Sequence, residues 1–228
     1  LPQALALYVP KLENEEEAAY LRVLIETTEA QIHAVDPTYP RGSVRVILVF
    51  ENPRAIFRIR EVAAALGPHF LGGSLGWHDF LASTARLFRC DPRYRIPVKA
   101  DPNIVINNIR ESHRILVRDL GPMGALKIGG MYGVLPEEGN AASQLVSLVG
   151  FVKDVTTQLR RGLDGFWIAH PDFVRIAIAL VHAFRRRQRD PQDTAFGELI
   201  AALIPDADEQ AVLQRFLAQG DAQGLATD

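Results

Sequence analysis

Val44-Arg45-Val46-Ile47-Leu48-Val49-Phe50-Glu51-Asn52-Pro53 has the pattern of a buried strand followed at once by a helix. The unbroken apolar run from 46 to 50 is typical of a parallel strand that is covered on both faces. Asn52 and Pro53 form a good helix start, because Asn can cap free amides and Pro needs no hydrogen-bond acceptor at the first helical position. Glu51 then stands at the junction, so the stretch predicts a βα unit with a carboxylate at the carboxyl end of its strand.

The same alternation of short apolar runs and longer segments of helical period continues along the chain. The predicted strands are Ala4–Val9, Val44–Phe50, Phe70–Leu75, Ala125–Met131 and Phe166–Ala169. The predicted helices are Glu15–Ala34, Pro53–Leu66, Asp79–Phe88, Ile104–Leu120, Ala142–Arg161 and Asp172–Arg187. Because no glycine-rich phosphate turn follows the first strand, we expect a barrel rather than an open dinucleotide-binding sheet. The prediction is an α/β fold, a (β/α)8 TIM-type barrel of which the C-terminal half is present.

The predicted domain organisation places the partial barrel in residues 1–189 and a short helical C-terminal segment in residues 190–228. That segment contains two predicted helices, Thr194–Leu203 and Glu209–Gln219. Five strands do not close an eight-stranded barrel, so the other strands are expected in sequence outside this chain. If the chain were complete, its open strand edges would favour a homo-oligomer.

Composition and charge exclude several classes of partner. The 228 residues are 48% hydrophobic and carry a net charge of −2, so no overall positive field favours nucleic acid or an anionic membrane. The longest apolar runs fall far short of the roughly 20 residues that span a bilayer. Cys90 is the single cysteine and fits a reducing compartment, so a cytoplasmic location is expected.

Two carboxylates follow predicted strands at the end where barrel enzymes carry their chemistry. Glu51 and Asp79 would lie about 5 Å apart if their strands are neighbours, since that is the spacing of adjacent strands. Two carboxylates with water completing the coordination suit Mg²⁺. The alternative is purely structural: Asp79 caps the helix that begins near Phe80, and Glu51 pairs with Arg54 or Arg58.

The segments around these carboxylates resemble motifs of the malate synthases. Leu48-Val49-Phe50-Glu51 resembles the family's Leu-Ile-Glu-Thr strand, and Gly76-Trp77-His78-Asp79 resembles its Gly-Arg-Trp-Asp segment, with the family's spacing of 28 positions between the two acids. A literal Leu24-Ile25-Glu26-Thr27 lies inside a predicted helix and too far from Asp79, so we interpret it as a chance match.

Further matches to the family follow in its order, and the resemblance covers roughly Leu7 to Phe184. Pro10-Lys11-Leu12-Glu13 resembles Pro-Lys-Met-Glu, and Gly129-Gly130-Met131 resembles the Met-Gly-Gly-Met strand. The segment from Asp164 to Pro171 resembles Asp-Gly-Thr-Trp-Val-Ala-His-Pro.

This resemblance implies that Glu51 and Asp79 bind Mg²⁺ and that the amides of Gly76, Trp77 and His78 hold the carboxylate of glyoxylate. The metal would then polarise the aldehyde while a base removes a methyl proton from acetyl-CoA. Hydrolysis of the thioester would release malate and CoA. The implied substrates are therefore acetyl-CoA and glyoxylate.

Departures from the family pattern keep other functions open. The family's glyoxylate-binding arginine and catalytic aspartate have no match, and Trp77-His78 replaces Arg-Trp, which changes the pocket wall. A citrate lyase β-like CoA-ester lyase, a pyruvate-type aldolase, and a metal-binding barrel without catalysis that serves as a ligand-binding or regulatory module are the alternatives. A base that reaches the site from outside the matched region would separate catalysis from binding, and Asp206 and Asp208 look like helix-start residues without such a role.

Four further charged or titratable residues near predicted strands are candidates for a role. His78 could reach the substrate and is the candidate catalytic side chain. Lys11 and Glu13 either contact substrate or form a solvated ion pair at a helix start. Lys127, inside a predicted strand, faces the barrel mouth or lies at the rim.

Overall fold

The computed structural model describes residues 5–93 and 102–204, with the backbone alone for 102–108. The strands are β1 (Ala6–Val9), β2 (Arg45–Phe50), β3 (Phe70–Leu75), β4 (Leu126–Tyr132) and β5 (Gly165–Ile168). The helices are α1 (Glu15–Val35), α2 (Pro53–Phe57), α3 (Ile59–Leu66), α4 (Trp77–Phe88), α5 (Pro102–Leu120), α6 (Ala141–Arg160), α7 (Phe173–Arg189) and α8 (Ala195–Leu203). All five predicted strands are confirmed.

The strands form one sheet in the order β1-β2-β3-β4-β5. The pairs β1/β2, β2/β3 and β3/β4 are parallel, as the long helical connections between the strands require. Val9 is paired with Leu48, and Phe50 is paired with Leu75. The carboxyl ends of β1, β2 and β3 therefore lie side by side, and the predicted α/β class is confirmed.

The core around β2 explains why this strand is so apolar. Both faces of its second half are buried, as the unbroken apolar run predicted. One hydrophobic cluster joins this strand to helices α1, α3 and α5. Its most deeply buried large side chains are Val46, Leu48, Phe50, Ile59, Val62, Leu66, Leu116 and Leu120.

The structure corrects one local prediction. The single helix predicted over Pro53–Leu66 is two helices, because Arg58 leaves helical geometry with φ −124° and ψ 29°. Gly72 and Gly73 lie within β3, inside the predicted strand. A Cβ at Gly73 would lie 2.5 Å from the Phe50 ring, which explains the need for glycine there. The predicted helix Glu209–Gln219 lies outside the described residues.

The described residues form two compact units. One contains the chain up to Gly130 together with Arg161–Phe166, and the other contains Met131–Arg160 and the chain from Trp167 onward. In the second unit Phe151 of α6 stacks on Phe173 of α7, with ring centroids 4.4 Å apart. The boundary near residue 189 stays a prediction. None of the described helices combines the length and the apolar character that crossing a bilayer requires.

Candidate metal centre

Three neighbouring strand ends bring Lys11, Glu51 and Asp79 together. Lys11 lies two residues beyond β1, Glu51 follows β2 directly, and Asp79 lies in the first turn of α4, after β3. Since the three strands are parallel and adjacent, these residues all lie at the carboxyl edge of the sheet. The two predicted metal ligands are thus at the edge where the strand order placed them.

Glu51 is held on two sides by its neighbours. The residue is 5% exposed, and its Oε1 accepts a hydrogen bond of 2.6 Å from the backbone amide of Lys11. Gly76 approaches from the other side so closely that a Cβ there would lie 2.6 Å from the Glu51 Cβ and overlap a carboxylate oxygen. A carboxylate fixed in this way has a defined position and orientation.

The Lys11 ammonium bridges the two carboxylates. Its Nζ contacts Oδ1 of Asp79 and lies 3.5 Å from Oε1 of Glu51. The hydrogen bond from Lys11 lowers the pKa of the Asp79 carboxyl below its ordinary value, and contact with the Glu51 carboxyl acts in the same direction. Asp79 is therefore ionised at neutral pH, and the two acids converge on one cation.

The two structural alternatives for these acids are wrong. The N-cap of α4 is Gly76, no side chain caps this helix, and Asp79 is its third residue. Arg54 and Arg58 instead pair with Glu15 at the start of α1, at 3.6 and 2.5 Å. Both acids contact Lys11 instead, and Asp79 also contacts Glu51.

The start of helix α4, which no side chain caps, adjoins the carboxylate pair. The α4 helix begins directly after Gly76, and its first intrahelical bond runs from the amide of Phe80 to the Gly76 carbonyl, at 2.9 Å. The amides before Phe80 belong to the first turn, where a helix has no carbonyl partners of its own. Trp77 is half-buried in this turn and His78 is exposed. The predicted substrate-binding segment therefore lies beside the acids, with its dipole favouring an anion.

The residues present fit a hard divalent cation. Both donors are carboxylates that already share a positive group, the Lys11 ammonium. Among the described residues there is no cluster of three or more His, Cys, Asp or Glu side chains that could hold a metal. The protein would thus supply two oxygens and leave the other positions to water or substrate, an arrangement that suits Mg²⁺.

Other predicted residues lie away from this centre or outside the described part of the chain. Lys127 pairs with Asp164 at 2.7 Å, and Asp164 precedes β5, so this pair is at the amino-terminal edge of the sheet rather than at the mouth. Glu13 is exposed, and its amide donates to the Glu17 carboxylate at the start of α1. Asp206 and Asp208 lie outside the described residues.

The structure confirms the interpretation of Glu26 and shows a role of Lys11 that the sequence analysis did not predict. Glu26, in the chance match to the family motif, pairs with Arg22 within α1, as expected for a helical segment. The bridging role of Lys11 was missed. Its position directly after the Val9-Pro10 end of β1, one strand over from Glu51, is the signal that could have indicated it.

Comparison with known proteins gives the family. The model of the malate synthase TIM barrel domain matches residues 2–199. Malate synthase of Oryza sativa subsp. japonica is 28% identical over 167 residues, which cover 73% of this chain and 29% of that protein. Malate synthase of Streptomyces clavuligerus is 28% identical over 208 residues, which cover 88% of this chain and 38% of that protein.

A solved structure shares the fold. The crystal structure of a citrate lyase from Burkholderia xenovorans LB400 matches with a TM-score of 0.53 at 17% identity, covering 96% of this chain and 65% of that chain. At such low identity the likeness concerns the fold alone. The five-stranded parallel sheet is therefore part of a TIM-type barrel, and the chain spans about a third of the length of the curated relatives named above. The match over residues 2–199 establishes that this chain belongs to the malate synthase TIM barrel family.

Proposed function

We propose that this chain carries the metal and oxo-acid site of a malate synthase-type acyltransferase. The observation that carries the proposal is the convergence of Glu51 and Asp79 on one cation, beside a helix end that no side chain caps. Family membership supports the reaction class. Because the chain spans about a third of its curated relatives, the reaction is proposed for the whole protein.

Each part of the site has a role in this reaction. Glu51 and Asp79 hold Mg²⁺, which supplies Lewis-acid polarisation of the glyoxylate aldehyde when it is bound. The amides of Gly76, Trp77 and His78 bind the glyoxylate carboxylate and aim the aldehyde at the carboxylate pair. The His78 imidazole, exposed on the same turn, can hold or donate a proton at the reacting oxygen.

The test follows free thiol, because acetyl-CoA, glyoxylate and water give malate and CoA. Thiol release would be measured with Mg²⁺, with glyoxylate present or withheld, in the longest form of the protein that carries this chain. We expect glyoxylate-dependent release by the wild type and its loss in Glu51→Gln. Glu61→Gln, the same change at an exposed position of α3, is the matched control and should keep full activity. Thiol release that persists in Glu51→Gln would contradict the assignment.

A carbon-carbon lyase of the citrate lyase β type, or a pyruvate-type aldolase, is the second candidate. The observation that favours it is the presence of half-buried Trp77 and exposed His78 in place of the family's Arg-Trp, which changes the group that meets the substrate. Condensation without thioester hydrolysis would consume acetyl-CoA and glyoxylate and release no thiol. Consumption of neither substrate, with metal binding retained, would instead support the pyruvate-type aldolase, which does not use acetyl-CoA, or a ligand-binding or regulatory module.

A further inference from the structure

We propose that Lys11 is an internal cation for the Glu51–Asp79 pair: its ammonium balances the carboxylates when no divalent cation is bound and withdraws when one binds. Lys11 is then a positioning residue that lowers metal affinity and keeps the metal-free site ordered. This inference rests on the proposed metal site. Neither the family match nor the predicted metal ligands assign Lys11 a role in metal binding.

The backbone of Lys11 is built for this position. It has φ +64°, and among the described residues no other residue besides glycine has a positive φ. A side chain in this left-handed region is strained, so the surrounding structure must hold it there. The amide of Lys11 donates to Oε1 of Glu51 at 2.6 Å, and this bond is the contact that holds it. The amide is independent of the ammonium, so Glu51 keeps this anchor wherever the side chain goes.

The side chain of Lys11 is placed to compete with a metal. Its Nζ contacts Asp79 and lies 3.5 Å from Glu51, so it approaches an oxygen of each acid. A magnesium ion bound by the same two oxygens would be about 2.1 Å from each of them. The ammonium and the ion would then be close neighbours of like charge, and they cannot share the pair favourably.

The ammonium is also free to move. The Lys11 side chain is 64% exposed, and the Asp79 side chain is 48% exposed. An exposed ion pair is weak, because water solvates both partners and the lysine stem loses rotamer freedom when it is fixed. A divalent cation can therefore displace the ammonium into solvent, where the charge is well hydrated.

The test compares Mn²⁺ affinity, read from the free-ion electron paramagnetic resonance signal, among variants of the 228-residue chain. Lys11→Met removes the ammonium and keeps the stem, and Lys11→Gly also removes the strain at φ +64°, which protects against a failure to fold. Lys127→Met is the matched control, because it removes one lysine charge from a different carboxylate, Asp164, at the opposite edge of the sheet. Glu51→Gln reports whether the site itself binds the ion.

We expect both Lys11 variants to bind Mn²⁺ about tenfold more tightly than the wild type, the size of effect that one nearby charge has on a proton equilibrium. Lys127→Met should bind like the wild type. Without metal, Lys11→Met should melt at a lower temperature than the wild type, and Mn²⁺ should raise its melting temperature by more.

The outcomes that overturn the inference are distinct from those that overturn the metal site. Equal or weaker affinity in both Lys11 variants, with binding still lost in Glu51→Gln, would refute the role of Lys11 and keep the site. No Mn²⁺ binding by the wild type, or binding unchanged in Glu51→Gln, would refute the metal site and this inference with it.

Discussion

The position of the Glu51 side chain depends on two neighbouring residues, one with an unusual backbone conformation and one that must lack a side chain. The Lys11 amide reaches it through a left-handed backbone, and Gly76 packs against it where a side chain would overlap the carboxylate. Groups that orient a metal ligand typically matter to the affinity by 10- to 100-fold. The metal site should therefore be sensitive to changes at residues that hold no metal themselves.

Replacing Gly76 with alanine tests this dependence. The added methyl group must displace the Glu51 side chain, so we expect Gly76→Ala to weaken Mg²⁺ or Mn²⁺ binding by about 10- to 100-fold, as loss of an orienting contact does. Gly133→Ala is the control, because a Cβ at Gly133 meets nothing within 4 Å. Titration calorimetry would measure both. Unchanged affinity in Gly76→Ala would mean that close packing does not hold Glu51.

Glu29 is a second buried carboxylate, with a structural role. It is 3% exposed and accepts hydrogen bonds from the backbone amides of Gly42, Ser43 and Val44, at 2.7, 2.9 and 3.0 Å. Burial alone would raise the pKa of Glu29, but these amides outweigh burial and lower it below the ordinary value. Its carboxylate thus fixes the loop that leads from α1 into β2.

Glu29→Gln should lower the free energy of unfolding by about 1–3 kcal/mol at neutral pH, because the amide cannot accept all of these bonds. Since the folded pKa is lowered, this contribution is present above the ordinary value of about 4.3 and is lost as the pH falls through the folded value. Urea unfolding of both proteins between pH 7 and pH 3 measures it. Glu26→Gln, in an exposed pair with Arg22, should change little. A difference in unfolding free energy between wild type and Glu29→Gln that increases as the pH falls would contradict the lowered pKa of Glu29.

At the level of helices and strands, α6 contains a glycine, Gly150, at the point where Tyr132 of β4 packs against the helix. A Cβ at Gly150 would collide with the hydroxyl of Tyr132, which ends β4. Burial raises the pKa of the Tyr132 phenol, and the nearby Asp154 acts in the same direction. The tyrosine is therefore neutral and packed against the helix backbone.

Gly150→Ala should destabilise the protein by about 1–3 kcal/mol, the usual range for overpacking. In an open helical position the same change stabilises by about 0.5–1 kcal/mol. Gly197→Ala in α8 is that open case, because nothing lies within 4 Å of its Cβ position. Thermal unfolding should move in opposite directions for the two variants. A higher melting temperature for Gly150→Ala would show that Tyr132 yields without cost.

Helix α5 carries a histidine that is kept neutral. His113 is buried, and Nη1 of Arg161 lies 3.2 Å from its Nδ1, so the arginine donates and the ring accepts. Burial, and then the Arg161 charge, lower the pKa of His113 to about 4. Its folded pKa is thus below the ordinary value of about 6.5, so its contribution to stability is present above 6.5 and is lost as the pH falls toward 4.

His113→Gln should remove this part of the acid sensitivity, because a glutamine can accept from Arg161 without titrating. The wild type should lose more unfolding free energy than the variant between about pH 6.5 and pH 4. His182→Gln, at an exposed position of α7, should follow the wild type. If the unfolding free energies of wild type and His113→Gln fell by the same amount across this pH range, the prediction that His113 is buried and neutral would be wrong.

At the scale of the whole molecule, the five strands and the position of Glu51 could be predicted, because an apolar run that stops at a charged residue marks a strand end. The left-handed backbone of Lys11 could not be predicted, since glycine or asparagine is the usual signal for that conformation. The structural role of Glu29 could not be predicted, because its hydrogen-bond partners are amides of a loop that follows the helix in the sequence. The break between α2 and α3 could not be predicted, because no Gly or Pro marks Arg58 and the helical pattern of apolar residues continues across it.

The open edge of the sheet at β1 motivates the prediction of a homo-oligomer. Within the described residues β2 is the one strand beside β1, and Leu5 next to this edge is 57% exposed. Open apolar edges pair readily with other chains. Studied by itself, with nothing covering β1, the chain of 25.2 kDa should sediment as a dimer or larger species, and Leu5→Lys should shift it toward the monomer. Leu87→Lys, on exposed α4, should not. A monomer at all concentrations would contradict the prediction.

We propose that Glu51 and Asp79 together bind one divalent cation. Titration calorimetry of Mg²⁺ into the wild type, Glu51→Gln and Asp79→Asn tests it most directly, because each change removes one charge and keeps the shape of the side chain. We predict one Mg²⁺ per chain in the wild type and loss of that binding in both variants. Wild-type affinity in either variant would contradict the claim.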